Sequence, residues 1–324
     1  ATNELTLKPD ITAIGGSVVS AYKSGSIAIS SGTSMASPAI AGISVLVRQY
    51  LKSTTNLSGR ELAAAVDKLM MSSASPVTDA DSGLPFSPRV QGAGLVDAGK
   101  AVSVGAYINV AGTDKSKFEL GDDRARTGCY TMTFDVVNIT NETKVYNLSV
   151  SALTESAVCG RVNPDHTYEY LMEQFEYELE SNIDAPETVT VAAGSSVSVT
   201  VTVTLSARDI KYIEKYFENG IYVEGFITLD EVGGESISAP YLAFYGDWRD
   251  APAIEENFFY DWPSEDYPAN TTLIANTVYT YDELNNETWF LGDVLFRGFQ
   301  LCRVGSDELD HGERRVQRDL LLGL

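Results

Sequence analysis

Histidine is the scarcest chemistry-bearing residue of this 324-residue chain, with two copies, His166 and His311. The supply of imidazole bases is therefore very small. Cysteine is nearly as rare. Cys129, Cys159 and Cys302 form no C-x-x-C pair, so a structural zinc site is not expected. A Cys129–Cys159 disulfide is left open, against cysteines kept as small buried apolar residues. Basic residues are few, 23 Lys and Arg against 45 Asp and Glu, for a formal charge of −22 and a pI near 4.4. Such a surface repels nucleic acid and anionic membranes and suits a soluble, secreted or surface-displayed protein. No apolar run approaches the ~18 residues of a spanning helix, and no signal-peptide pattern opens the chain.

What is present divides the chain into unlike parts. A 3.6-residue period predicts a helix from about Ser34 to Lys52, with Ile40, Ile43, Val47 and Tyr50 on one face. Pro38 fits the first turn of that helix. A second helix starts near Ser58, where Ser58 and Glu61 have capping-box spacing, and carries Leu62, Ala65, Val66 and Leu69. A loop with Pro76, Pro85 and Pro88 follows.

From about 105 to 245 the period switches to two. In SSVSVTVTVTL (195–205), Val197, Val199, Val201, Val203 and Leu205 take one face, and Ser198, Thr200, Thr202 and Thr204 the other. Segments 129–140, 144–153, 220–229 and 236–246 are also strand-like, which predicts a β-sandwich able to fold alone. Residues 208–220 are a short helical or turn insertion ending at Gly220. The acidic stretch HTYEYLMEQFEYELE (166–180) lacks the spacing of a calcium loop and is taken as a solvated loop or edge insertion. Six N-x-S/T sequons, at Asn56, Asn138, Asn141, Asn147, Asn270 and Asn286, mark polar, strand-edge or loop positions. In residues 297–324 the composition changes. Five of the thirteen arginines fall there, while lysine, tyrosine and tryptophan vanish. This tail is expected to be disordered and is taken as foreign to the fold, such as out-of-frame sequence.

Residues 31–42, SGTSMASPAIAG, carry the chemistry. Gly32 permits a tight turn, and a helix starting behind Ser34 would aim free N–H groups at developing negative charge. The segment resembles the nucleophile region of subtilisin-like serine peptidases. LKPDITAIGG (7–16) resembles the family's core strand and loop before the serine, with Ile14 where the family has Pro. GAGLVDAGKAV (92–102) resembles its closing signature. The resemblance implies Ser34 as nucleophile, with its own N–H as one oxyanion donor. Gly32, Thr33 and Met35 would shape the turn and substrate groove. It implies an acyl-enzyme endopeptidase acting on protein or peptide, extracellular, secreted or cell-wall anchored, without nucleic acid, membrane span or metal, calcium being left open for a longer enzyme.

In subtilisins the triad runs Asp, His, Ser along the chain. The 33 residues before Ser34 hold no histidine, so the family's acid, base and oxyanion Asn are missing and the chain is expected to be silent alone. Asp165-His166 falls in the sandwich region and is not taken as a triad pair. Gly32-Thr33-Ser34-Met35-Ala36 also lacks the second glycine of a hydrolase elbow.

The expected architecture is multidomain. Residues 1–104 form the C-terminal part of an α/β subtilisin-like domain, 105–245 a fibronectin-type-III-like all-β sandwich, 246–296 the start of a further β-rich domain and 297–324 the anomalous tail. The order, with Phe244 to Trp248 at the exit, is similar to multidomain cell-envelope subtilases of the C5a-peptidase and lactocepin group. The alternative is a non-catalytic surface or adhesion module carrying a peptidase remnant.

Overall fold

The structure, a computed structural model, describes residues 5–161, 169–217, 219–250, 272–274, 277–282 and 287–293. His166, His311, Cys302 and the tail 297–324 lie outside them.

The chain opens with an antiparallel hairpin, β1 (Val18–Ala21) and β2 (Ile27–Ser30), in which Val19 faces Ile29. Helix α1 (Thr33–Thr54) follows at once, then α2 (Gly59–Ser73). Both match the periodic apolar positions, with two local corrections. Pro38 sits in the second turn of α1 rather than the first. Lacking an N–H, it leaves the Ser34 carbonyl without its helical donor. Ser58 is the N-cap of α2, but its side chain makes no capping hydrogen bond. Two short helices, α3 (Pro88–Gln91) and α4 (Ala98–Ser103), are capped by the side chains of Ser87 and Asp97.

The period-two segments form two sheets. One runs β10 (Thr188–Val191), β6 (Lys144–Val150), β12 (Ile221–Glu231), β13 (Ile237–Tyr245), β4 (Phe118–Asp123), with β4 parallel to β13. Its side branch is a hairpin of β7 (Leu153–Arg161) and β8 (Glu169–Glu178), joined to β12 where Leu153 pairs with Glu224. The acidic stretch expected as loop or edge insertion is therefore largely strand. The second sheet runs β3 (Ala106–Val110), β5 (Cys129–Asn138), β11 (Ser196–Thr204), β9 (Asn182–Asp184).

The β5–β11 register explains the alternation. Val199, Val201 and Val203 pair with Phe134, Met132 and Tyr130, all buried. The opposite face pairs Thr131 with Thr202 and Thr133 with Thr200, hydroxyl to hydroxyl at 3.1 and 3.0 Å. Asn138 is the last residue of β5. It is buried, and its amide nitrogen donates to the carbonyls of Glu142, Val191 and Ala192.

Helix α5 (Ala207–Tyr216) carries a complete capping box between Ser206 and Asp209. Beyond the sandwich, β14 (Thr272–Ile274), β15 (Thr277–Asp282) and β16 (Glu287–Asp293) form an antiparallel sheet, the further β-rich region.

Helices and sandwich share one core. Leu62, Ala65, Val66, Leu69 and Met70 of α2 are buried in the same apolar cluster as Ile108 of β3 and Ala239 and Tyr241 of β13. The sandwich is thus not closed without α2, which tempers the expectation that it folds alone.

Candidate active site

Ser34 is exposed and is the second residue of a 22-residue helix. Gly32 forms the turn before it at φ 152°, a conformation that disfavours side chains. The Met35 N–H donates to the Gly32 carbonyl at 3.0 Å, closing the turn. The N–H of a second helical residue has no partner within its helix, so the Ser34 amide is free in that respect to face an oxyanion. Thr33 is exposed beside it and Met35 is half-buried. Gly32, Thr33, Ser34 and Met35 are consecutive and lie together at the start of α1.

A contact that the sequence reading missed fixes the turn from behind. The Gly32 N–H donates to the Gly15 carbonyl at 2.9 Å. A Cβ on Gly15 would lie 2.7 Å from the Gly32 oxygen and 3.3 Å from Ala36 Cβ. Gly15 must therefore be glycine for the loop to approach this closely. The residues before it lie beside the closing signature: Thr12 pairs with Leu95, and Leu95 in turn with Ser75. Only the family segments, not periodicity, hinted at this adjacency.

Ile14, where the resemblance implies proline, is 70% exposed. Asp10 sits beside Lys117, at 3.1 Å, and Lys8, at 2.8 Å. Burial alone would raise its pKa, but the two ammonium groups hold it below the ordinary carboxylate value. Among the described residues no three His, Cys, Asp or Glu side chains converge as metal ligands, no histidine lies near Ser34, and no helix is long and apolar enough to cross a membrane. Cys129 is a free, exposed thiol.

The subtilase family model matches residues 1–94, and the Fn3-like domain model matches residues 118–242. Residues 1–94 are subtilase sequence. The Fn3-like match falls on the sandwich and agrees with the two-sheet architecture. The chain is 29% identical over 267 residues to the PI-type proteinase of Lactococcus lactis subsp. cremoris, covering 78% of this chain and 13% of that relative. It is 30% identical over 264 residues to the C5a peptidase of Streptococcus pyogenes, covering 80% of this chain and 21% of that relative. The chain thus spans about a fifth or less of the length of these relatives. Among solved structures, a FixG-related protein from Vibrio parahaemolyticus aligns with 43% of this chain and 95% of its own, at 14% identity and a TM-score of 0.25.

Proposed function

We propose that Ser34 is the nucleophile of a secreted or cell-wall-associated serine endopeptidase, this chain forming the C-terminal part of its catalytic domain and the sandwich beyond. The observation that carries this reading is an exposed serine at the second position of a helix, behind a glycine turn that is itself braced by Gly15. Ser34 Oγ would attack the scissile carbonyl carbon, its proton passing to a base. The Ser34 N–H would donate to the resulting oxyanion. The leaving amine would take the proton, and water would release the acyl group. Base, orienting acid and oxyanion side chain would be supplied from outside these 324 residues. Relatives named as proteinase and peptidase support the same reaction class, with protein or peptide as substrate.

The test is hydrolysis of a peptide substrate by the protein extended upstream in its gene, against its Ser34→Ala variant. Loss of turnover in the variant is expected. Equal turnover by the extended protein and its Ser34→Ala variant would overturn the assignment in favour of a non-catalytic surface module.

A further inference from the structure

The joint between subtilase segment and sandwich is built around one buried carboxylate, Glu224. The Arg89 guanidinium donates from Nε to Glu224 Oε2 at 3.0 Å, and from Nη2 to Glu224 Oε1 at 3.1 Å and Glu155 Oε1 at 2.6 Å. It also lies 4.0 Å over the Tyr222 ring. Glu224 is only 1% exposed. Ser87 adds two bonds, its hydroxyl donating to Glu224 at 2.8 Å and its N–H to Glu176 at 2.7 Å. A fork this fully bonded fixes position as well as charge.

The residues that follow carry this fixed position toward Ser34. Gly92 and Gly94 press on the Asp10 and Ser75 backbones so closely that a Cβ on either would lie within 2.5 Å. The Ala93 N–H donates to the Asp10 carbonyl at 3.0 Å and the Thr12 N–H to the Gly94 carbonyl at 2.9 Å. Three residues beyond Thr12, Gly15 accepts the Gly32 N–H and abuts the turn of Ser34.

We propose that Arg89 and Glu224 are positioning residues, through which the sandwich sets the nucleophile turn by way of the 92–94 and 10–15 segments. The inference rests on the reading of Ser34 as nucleophile for its meaning, though not for its test. The sandwich thereby becomes part of the site's geometry rather than an appended module.

Amide hydrogen exchange on the 324-residue chain, followed residue by residue, decides it. In Arg89→Ala, exchange at Ala93, Thr12 and Gly32 should accelerate about tenfold or more by local opening. Val201 and Phe134, in the far sheet, should stay within about twofold. Arg89→Lys, which keeps the charge but loses the fork, should fall between. If Arg89→Ala does not fold, Arg89→Lys and Glu224→Gln carry the same comparison. Acceleration at Ala93 and Thr12 with Gly32 unchanged would overturn the proposal, because the linkage would end short of the turn. Uniform acceleration that includes Val201 would also overturn it, leaving a structural role only. The pattern should persist in a Ser34→Ala background, so failure of the nucleophile assignment would not be mistaken for failure of the linkage.

Discussion

In the sandwich, Val199, Val201 and Val203 of β11 are at most 4% exposed, whereas in the β1–β2 hairpin Val19, Ile27 and Ile29 are 64%, 74% and 69% exposed. Both regions are apolar strand sequence. The difference is partnership: β11 faces a second sheet through residues in the same chain, and the hairpin next to Ser34 faces nothing described. Local sequence is thus enough to form the turn and helix that present Ser34, but not to bury them. A site can be locally built while the surface around it stays open.

The comparison is sharpened most by chemistry. The 324-residue chain should hydrolyse peptides, and react with a fluorophosphonate probe, no faster than its Ser34→Ala variant. Removing the triad of subtilisin costs on the order of a millionfold in turnover, and an unassisted hydroxyl is a poor nucleophile. A clear excess over the variant would mean that a base exists within the chain and would draw attention back to His166.

The next test asks whether the two regions are separate at all. Leu69 of α2 is fully buried in the core that α2 shares with β3 and β13. Leu69→Ala should cost about 2–5 kcal/mol, and tryptophan fluorescence and far-ultraviolet circular dichroism should shift together in denaturant. Two separated transitions, with only the helical one moved, would restore an independent sandwich. A smaller loss is expected at the seam. Gly94 has φ 111°, and a Cβ there would meet the Ser75 oxygen at 2.4 Å. Gly94→Ala should destabilise by about 1–3 kcal/mol or more, measured by thermal or urea unfolding.

Acid should act on the same seam. Burial works against the Asp10 charge, but Lys8 and Lys117 lower its pKa below the ordinary 3.8. Its contribution is therefore complete above the unfolded value and is lost as pH falls through the folded one. Asp10→Asn should lower stability at neutral pH and flatten the loss of stability below pH 3.8. Denaturant midpoints at stepped pH would read this, and an unchanged acid limb would show that the carboxylate contributes nothing to folding.

Much of this architecture is legible in the sequence because it rests on short-range pattern. The alternation in 195–205 and the 3.6-residue period after Ser34 each fix a burial face from neighbouring residues alone. The nucleophile turn is legible through resemblance of the residues around Ser34. The long-range contacts are not. Arg89 reads as an ordinary polar residue after Pro88, since its partners Glu155 and Glu224 lie 66 and 135 positions away. The β8 strand is obscured by its glutamates, a composition that disfavours strands but that an edge hairpin tolerates. Pro38 is displaced by one turn from its expected place because family resemblance locates the serine without fixing the helix boundary.

The smallest effect is the most direct probe of openness. Val45 and Val47 sit two residues apart on α1, yet Val45 is 64% exposed and Val47 is fully buried. In the 324-residue chain, Val45→Ser should change stability by no more than about 0.5 kcal/mol, as surface substitutions do. Val47→Ala, which removes buried methyl groups and leaves a cavity in the core shared by the helices, should cost clearly more, on the order of 1–3 kcal/mol. The contrast should weaken in the upstream-extended protein. If the added sequence covers α1, Val45→Ser would there lose a share of the ~1.5–3 kcal/mol that burying a valine contributes. Equal costs for Val45→Ser in the two proteins, measured by urea unfolding under one buffer, would mean that this face of the nucleophile helix stays open to solvent even when the rest of the enzyme is present.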